Sequence, residues 1–142
     1  MSEQASSYLT SRIEEADSRS GFRCGKHPLD DYFKRHAVAN EIANVARTYV
    51  LRRGEGDDPG LPPVLGFYSL SMAGVPSAQV ATVIPGKLPR YDLPVASIGR
   101  LAIDERAQRR GLGEKLLMDA LRRVVDGGAT FGCVGVVVDA TD

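Results

Sequence analysis

The stretch VASIGRLAIDERAQRRGLGEKLLMDALRRVVDGGATFGCVGVVVD, residues 95–139, decides the fold. Residues 95–104 read as a strand and residues 105–110 as a polar turn. Gly111 then opens a helix with Leu112, Leu116, Leu117, Ala120, Leu121 and Val124 on one face, the three-and-four spacing of an amphipathic helix. Gly127 and Gly128 are expected to end it. Residues 131–139 are apolar at nearly every position, which is how a strand covered on both faces reads. Strand, helix and buried strand form a right-handed βαβ unit, so the two strands are expected to be parallel.

Upstream, the polar stretch before residue 20 holds one expected short strand, near residues 8–13. Pro28 suits the first position of a helix, where a missing N–H costs nothing. Leu29, Tyr32, Phe33 and Ala37 follow at helical spacing, with Lys34 and Arg35 on the opposite side. Residues 46–53 read as a strand through Thr48, Tyr49 and Val50. Residues 54–63 hold three glycines, three prolines and three acids, which fits only a surface loop. Residues 64–72 supply the next strand, so the two are expected to pair as an antiparallel hairpin. Prolines at 76, 85, 89 and 94 allow a short helix at most before the decisive stretch begins. The expectation is one domain over residues 1–142, of α/β (α+β) class, with a mixed central sheet and flanking helices.

Composition narrows the function classes. Of 142 residues, 43% are hydrophobic and 25% charged, which excludes disordered and fibrous classes. The longest apolar run, 131–138, is too short to cross a bilayer, and the N-terminus carries neither a secretory signal nor a lipidation box. Cys24 and Cys133 stand far apart with no Cys/His cluster, so neither a disulfide framework nor a metal site is expected, and a cytoplasmic location is. With 18 basic and 18 acidic residues, whole-protein charge drives no association. Residues 100–123 nevertheless carry seven basic side chains against four acidic ones, and a polyanion is expected there.

The turn Gln108-Arg109-Arg110-Gly111-Leu112-Gly113 carries the chemical signal. It leads into the first turn of a helix, whose backbone N–H groups lack intrahelical partners and face the positive end of the helix dipole. Without Cβ atoms at Gly111 and Gly113, the backbone can approach a bulky anion, and Arg109 and Arg110 add charge at the rim. A diphosphate suits such a site. It is not a nucleotide P-loop, because Lys115 is followed by Leu116. Nor is it a dinucleotide fingerprint, because the third position after Gly113 is again Leu116.

The hexapeptide resembles the pyrophosphate loop [Q/R]-x-x-G-x-[G/A] of the GNAT acetyltransferases. Further segments extend the resemblance from about residue 20 onward: Phe22-Arg23-Cys24-Gly25, Leu29-Asp30, Gly66-Phe67-Tyr68-Ser69-Leu70, Gly99-Arg100-Leu101-Ala102-Ile103-Asp104, Leu116-Leu117, Ala120-Leu121 and Val138-Asp139-Ala140. Together they look like the toxin-type, TacT-like branch, whose partners are ribbon-helix-helix antitoxins. This resemblance implies a GNAT fold and transfer of acetyl from acetyl-CoA to the α-amine of aminoacyl-tRNA, blocking translation. It implies that backbone groups of Leu101 and Ile103 meet the acetyl carbonyl and pantetheine arm. Gln108, Arg109, Arg110, Gly111, Leu112 and Gly113 would hold the pyrophosphate. The strands at 95–104 and 131–139 would splay to admit the arm. The family's general acid is a tyrosine past the last strand. The sequence stops at Asp142, before such a segment, so no catalytic residue is assigned and the chain is expected to be C-terminally incomplete. If these 142 residues are the whole molecule, weak activity and an aggregation-prone edge are expected.

Alternatives stay open at this stage: an acetyltransferase for a small amine or a protein N-terminus, or a non-catalytic remnant that binds CoA or an antitoxin. A homodimer is left open, and no membrane partner is expected. Arg100, Arg106 and Arg123 are expected to flank the site's mouth; Arg100, Arg122 and Arg123 read either as solvated faces or as tRNA contacts. Tyr68 and Asp104 read either as proton shuttles or as structural residues. Cys24 is either a helix-start thiol of lowered pKa or a packing residue, and Cys133 a core residue. His27 caps the first helix in this reading, and His36 rides its surface.

Overall fold

The computed structural model describes residues 8–138. In chain order it runs through β1 (Ser11–Arg12), a 3₁₀ turn (Glu15–Arg19), α1 (His27–Asp31), a π turn (Tyr32–His36), α2 (Ala37–Ile42), β2 (Arg47–Arg52), β3 (Val64–Val75), α3 (Ser77–Val80), β4 (Leu93–Ile103), a second 3₁₀ turn (Glu105–Ala107), α4 (Leu112–Phe131) and β5 (Val136–Val138). The strands form one sheet in the order β1-β2-β3-β4-β5. Pairings are antiparallel as far as β4, and β5 lies parallel to β4, as the βαβ reading requires. The expected N-terminal strand shrinks to two paired residues, extended by the Ile13 N–H bond to the Thr48 carbonyl at 2.8 Å.

Strand alternation sends side chains to two covered faces. On one, Val50, Phe67 and Ala102 stand side by side across β2, β3 and β4 and meet Leu29, Tyr32, Phe33 and Ala37 from the helical segment, with Phe22 beside them. The rings of Phe22, Phe33 and Phe67 lie 4.8–5.4 Å apart, in tilted and edge-on contacts that each add about 0.5–1.5 kcal/mol beyond area burial. Pro28 sits in the first turn of α1, as expected. On the other face, Leu116 and Ala120 of α4 pack on Tyr68 and Ile98. The heptad-like spacing of α4 therefore becomes contact with the sheet.

Two expectations about the last third of the chain fail. Gly127 and Gly128 lie inside α4, which continues to Phe131 and stops at Gly132, a residue at φ 85° whose N–H bonds the Gly128 carbonyl at 2.9 Å. An internal glycine costs only about 1 kcal/mol, and each added helical residue gains a backbone bond, so the pair does not break the helix. The following strand therefore starts at Val136 rather than at residue 131. Its three valines are 37–51% exposed, not covered on both faces. An apolar run reports what could be buried; whether it is depends on a neighbouring layer, and among the described residues none covers this edge. Asp139 and Ala140, part of the resemblance, lie outside the described residues.

Candidate active site

β4 changes its neighbours along its length. Its outer edge pairs with β5 only from Ala96 to Ile98, and residues 99–103 face no strand on that side among the described residues. A bulge at Gly99 shifts the register against β3, so that Ser69 opposes Arg100 while Leu70 opposes Ile98. The direction of the free groups follows from fixed points at each end. The Ala96 N–H points outward to the Gly135 carbonyl at 3.0 Å, whereas the Asp104 N–H points inward to the Leu65 carbonyl at 2.8 Å. Counting back from Asp104 through the alternating ladder, Leu101 and Ile103 turn their peptide groups away from β3. Their side chains are half-buried on the α4 face. β5 is described only as far as Val138, opposite Ile98, so the expected splay of the two strands beyond that point lies outside the described residues.

The chain after β4 forms a concavity lined by backbone N–H groups. Arg109 (φ 66°) and Gly111 (φ 76°) are left-handed, with Arg110 between them, a pattern that gathers successive N–H groups on one side. The first helical bond of α4 runs from the Lys115 N–H to the Gly111 carbonyl, so the N–H groups of Leu112, Gly113 and Glu114 have no intrahelical acceptor. A Cβ at Gly111 or Gly113 would meet nothing within 4 Å, which leaves open space in front of the loop. The side chains of Arg109 and Arg110 are exposed around it.

Gln108 does something the motif does not reveal. Its amide nitrogen donates to the carbonyls of Ile103 (3.0 Å) and Cys24 (3.2 Å), so the side chain ties the loop to β4 and to residues 22–25. That second segment is itself anchored. The Glu105 N–H bonds the Arg23 carbonyl at 2.9 Å, and the Arg23 N–H bonds Asp104 Oδ2 at 2.9 Å. Asp30 receives the N–H groups of Cys24 (2.7 Å) and Gly25 (3.3 Å). The recurrent Phe22-Arg23-Cys24-Gly25 and Leu29-Asp30 segments thus buttress the loop. Burial pushes the Cys24 thiol up to about 11, against a weaker lowering by the Lys26 carbonyl contact, so the packing reading holds and the lowered-pKa reading fails.

The other candidates separate by their partners. Asp104 is fully buried and accepts from Arg106 Nε (2.9 Å), Arg106 Nη2 (3.0 Å) and the N–H groups of Arg106 and Arg23. Burial alone would raise its pKa; these donors outweigh it and hold the carboxyl below its ordinary value. Tyr68 is fully buried, donates to Asp119 Oδ2 at 2.7 Å and accepts from Arg123 Nε at 3.0 Å. Burial, reinforced by Asp119, pushes its phenol well above the ordinary range. Both are structural, not proton shuttles. Arg123 also bonds the Thr10 carbonyl at 2.7 Å and lies over the Tyr49 ring, on the α4 face, so it does not flank the mouth. Arg106 is held by Asp104. Cys133 is half-buried rather than in the core. His27 does not cap α1, whose N-cap is Lys26, and His36 is exposed beside Asp31.

Outward-turned peptide groups on β4, followed by a helix start whose N–H groups lack intrahelical acceptors, suit an extended, amide-bearing arm that ends in a diphosphate. These features fit an acyltransferase that takes its acyl group from such a carrier. The acetyltransferase (GNAT) family model matches residues 12–139, and the chain belongs to that family. It is 36% identical over 132 residues to the tRNA-acetylating toxin of Mycobacterium tuberculosis, covering 91% of this chain and 73% of that protein. Among solved structures it resembles AtaT complexed with acetyl-methionyl-tRNAfMet, with a TM-score of 0.75 and 26% identity over 94% of this chain and 78% of that one. It also resembles a mutant AtaT toxin bound to the C-terminus of the antitoxin AtaR and acetyl-CoA, with a TM-score of 0.70 and 25% identity over 94% and 75% of the two chains.

Proposed function

We propose that this chain is a single GNAT domain that transfers acetyl from acetyl-CoA to the α-amine of aminoacyl-tRNA, as the toxin of a toxin–antitoxin pair. Bound acetyl-CoA supplies an activated thioester. The residues that would hold it are the backbone groups of Leu101 and Ile103 along the pantetheine arm and acetyl carbonyl, and residues 108–113 around the diphosphate. Gln108 acts there through its two framework bonds, with its side chain turned away from the loop's mouth. The observation that carries the reading is the left-handed loop at Arg109 and Gly111, set between β4 and the start of α4.

The amine attacks the carbonyl carbon, a C–N bond forms, and the C–S bond breaks to release a thiolate. A β4 N–H near Leu101 would be the donor to the developing oxyanion. An α-amine with a pKa of about 7.7–8.0 is partly neutral at cellular pH, so no strong base is needed. The thiolate, of pKa about 8.5, requires only a modest acid to take up the proton the amine gives off. A charged-tRNA acceptor supports a cytoplasmic location. The tRNA and antitoxin bound to AtaT support a tRNA acceptor and an antitoxin partner here.

The test is incubation of the chain with acetyl-labelled acetyl-CoA and charged tRNA, followed by nuclease digestion and mass analysis of the terminal nucleoside. Label on the aminoacyl-adenosine, absent with uncharged tRNA, is expected. Label on free polyamines or peptide N-termini instead would overturn the acceptor assignment.

A further inference from the structure

Three arginines sit near the loop and the strand edge in sequence, and the structure commits two of them. Arg106 is forked onto Asp104 and donates to the Gly21 carbonyl at 3.1 Å. Arg123 is largely buried among Tyr68, Thr10 and Tyr49 on the α4 face. Arg100 differs. It stands in register with Ser69 and Thr48, one row from Val50, Phe67 and Ala102, and so projects on the face opposite α4. Its guanidinium carbon lies 3.7 Å over the Tyr32 ring, and it pairs with no carboxylate among the described residues. Tyr32 is a rigid platform: it is buried within the π turn, and its hydroxyl accepts from Asn40 Nδ2 at 3.2 Å.

We propose that Arg100, stacked on Tyr32, is the acceptor-side specificity residue, binding the phosphodiester that precedes the aminoacylated terminal nucleotide. This rests on the acceptor reading above. Stacking fixes the plane of the guanidinium and leaves its edge N–H groups for an anion, a geometry that a lysine ammonium does not reproduce. The next residue, Leu101, offers its peptide groups to the acetyl carbonyl. Donor loop and α4 occupy one side of that point, so an amine attacking the carbonyl arrives on the other, where Arg100 projects. In an aminoacylated RNA end, the terminal phosphodiester is the closest fixed negative charge to the α-amine. A polyamine or a protein N-terminus has none, which makes this contact a discriminator.

The experiment measures binding of a fluorescent acceptor-stem hairpin ending in CCA by anisotropy across a salt series, with the full chain and its Arg100→Gln and Arg100→Lys variants. A second hairpin carries an uncharged methylphosphonate at the last linkage. Wild type is expected to bind the modified hairpin roughly tenfold more weakly. Arg100→Gln is expected to bind both hairpins equally, at the weaker level, with a shallower salt slope by about one phosphate contact. Arg100→Lys recovers only part of the difference. Acetyl-CoA affinity, measured in parallel, stays within about twofold, because the variant leaves the β4 backbone in place. The proposal is overturned if wild type ignores the methylphosphonate, if Arg100→Gln still discriminates tenfold, or if acetyl-CoA affinity falls as much as RNA affinity. Failure of the acceptor reading shows separately, as wild type that does not acetylate charged tRNA whatever its RNA affinity.

Discussion

Replacing Asp104 by Asn is the sharpest perturbation of the framework that holds the loop. Each carboxylate oxygen accepts two donors: Oδ1 from Arg106 N and Nε, Oδ2 from Arg23 N and Arg106 Nη2. An asparagine presents an NH₂ in place of one oxygen. Whichever way it turns, two bonds are lost and donors face donors in a fully buried position. Breaking such a pair costs about 3–5 kcal/mol when both partners are sealed from water. Arg106 is 38% exposed and can turn to solvent, which brings the expected loss to roughly 2–3 kcal/mol. At an m-value of about 2 kcal/mol/M, the urea midpoint falls by roughly 1–1.5 M. The sign with pH is fixed by the depressed carboxyl. Its stabilisation is full above the ordinary value near 3.8 and is lost as pH falls through the lower folded-state value. The gap between wild type and Asp104→Asn is therefore constant near neutrality and closes in strong acid. A midpoint shift under about 0.3 M, or a gap that persists unchanged in acid wherever both proteins still fold, would refute this account.

Three further outcomes are expected. Gly66→Ala destabilises by about 1–3 kcal/mol in denaturant titration, because the new Cβ would lie 2.7 Å from Ile103 Cδ1, 2.9 Å from the Ala102 carbonyl and 2.9 Å from Leu116 Cδ1; an unchanged midpoint would show that β3 and β4 yield freely there. Tyr68→Phe lowers stability by about 1–2 kcal/mol by stripping a partner from Asp119 and Arg123, and leaves the pH profile of acetyl transfer unmoved; a shifted profile would restore Tyr68 as a proton carrier. Cys24, with its thiol pushed up to about 11, reacts with iodoacetamide at pH 8 far more slowly than a free cysteine, and equal rates would contradict its half-buried packing.

How much was legible follows from the range of each interaction. The β4–α4–β5 unit, the Pro28 helix and the β2–β3 hairpin are written in local periodicity and turn chemistry, and they form in the expected order and pairing, although α4 runs on to Phe131 and β5 starts only at Val136. The loop at 108–113 was legible as a turn for the same reason, since glycines at a helix start leave a local signature, Gly111 among them in the left-handed region. What failed depended on partners far along the chain. Arg123 is claimed by Thr10, 113 residues away, and Gln108 by Cys24, 84 away; no spacing rule anticipates either. Asp104 and Arg106 are neighbours, but the Arg23 N–H that completes their site is 81 residues upstream of Asp104. Conversely, the valines of β5 were read as buried because their composition permits it, while burial itself is a property of the layer beside them.

The central claim, that acetyl-CoA lies along the outward-turned peptide groups of β4 with its diphosphate in the loop before α4, is tested most directly by amide chemical-shift mapping of the isotopically labelled chain during an acetyl-CoA titration. The account predicts saturable shifts at Leu101, Ile103 and residues 109–113, with residues of β1 and β2 still. Shifts centred instead on the cleft between Tyr49, Met72 and Phe131, or none in a chain that remains folded, would contradict it.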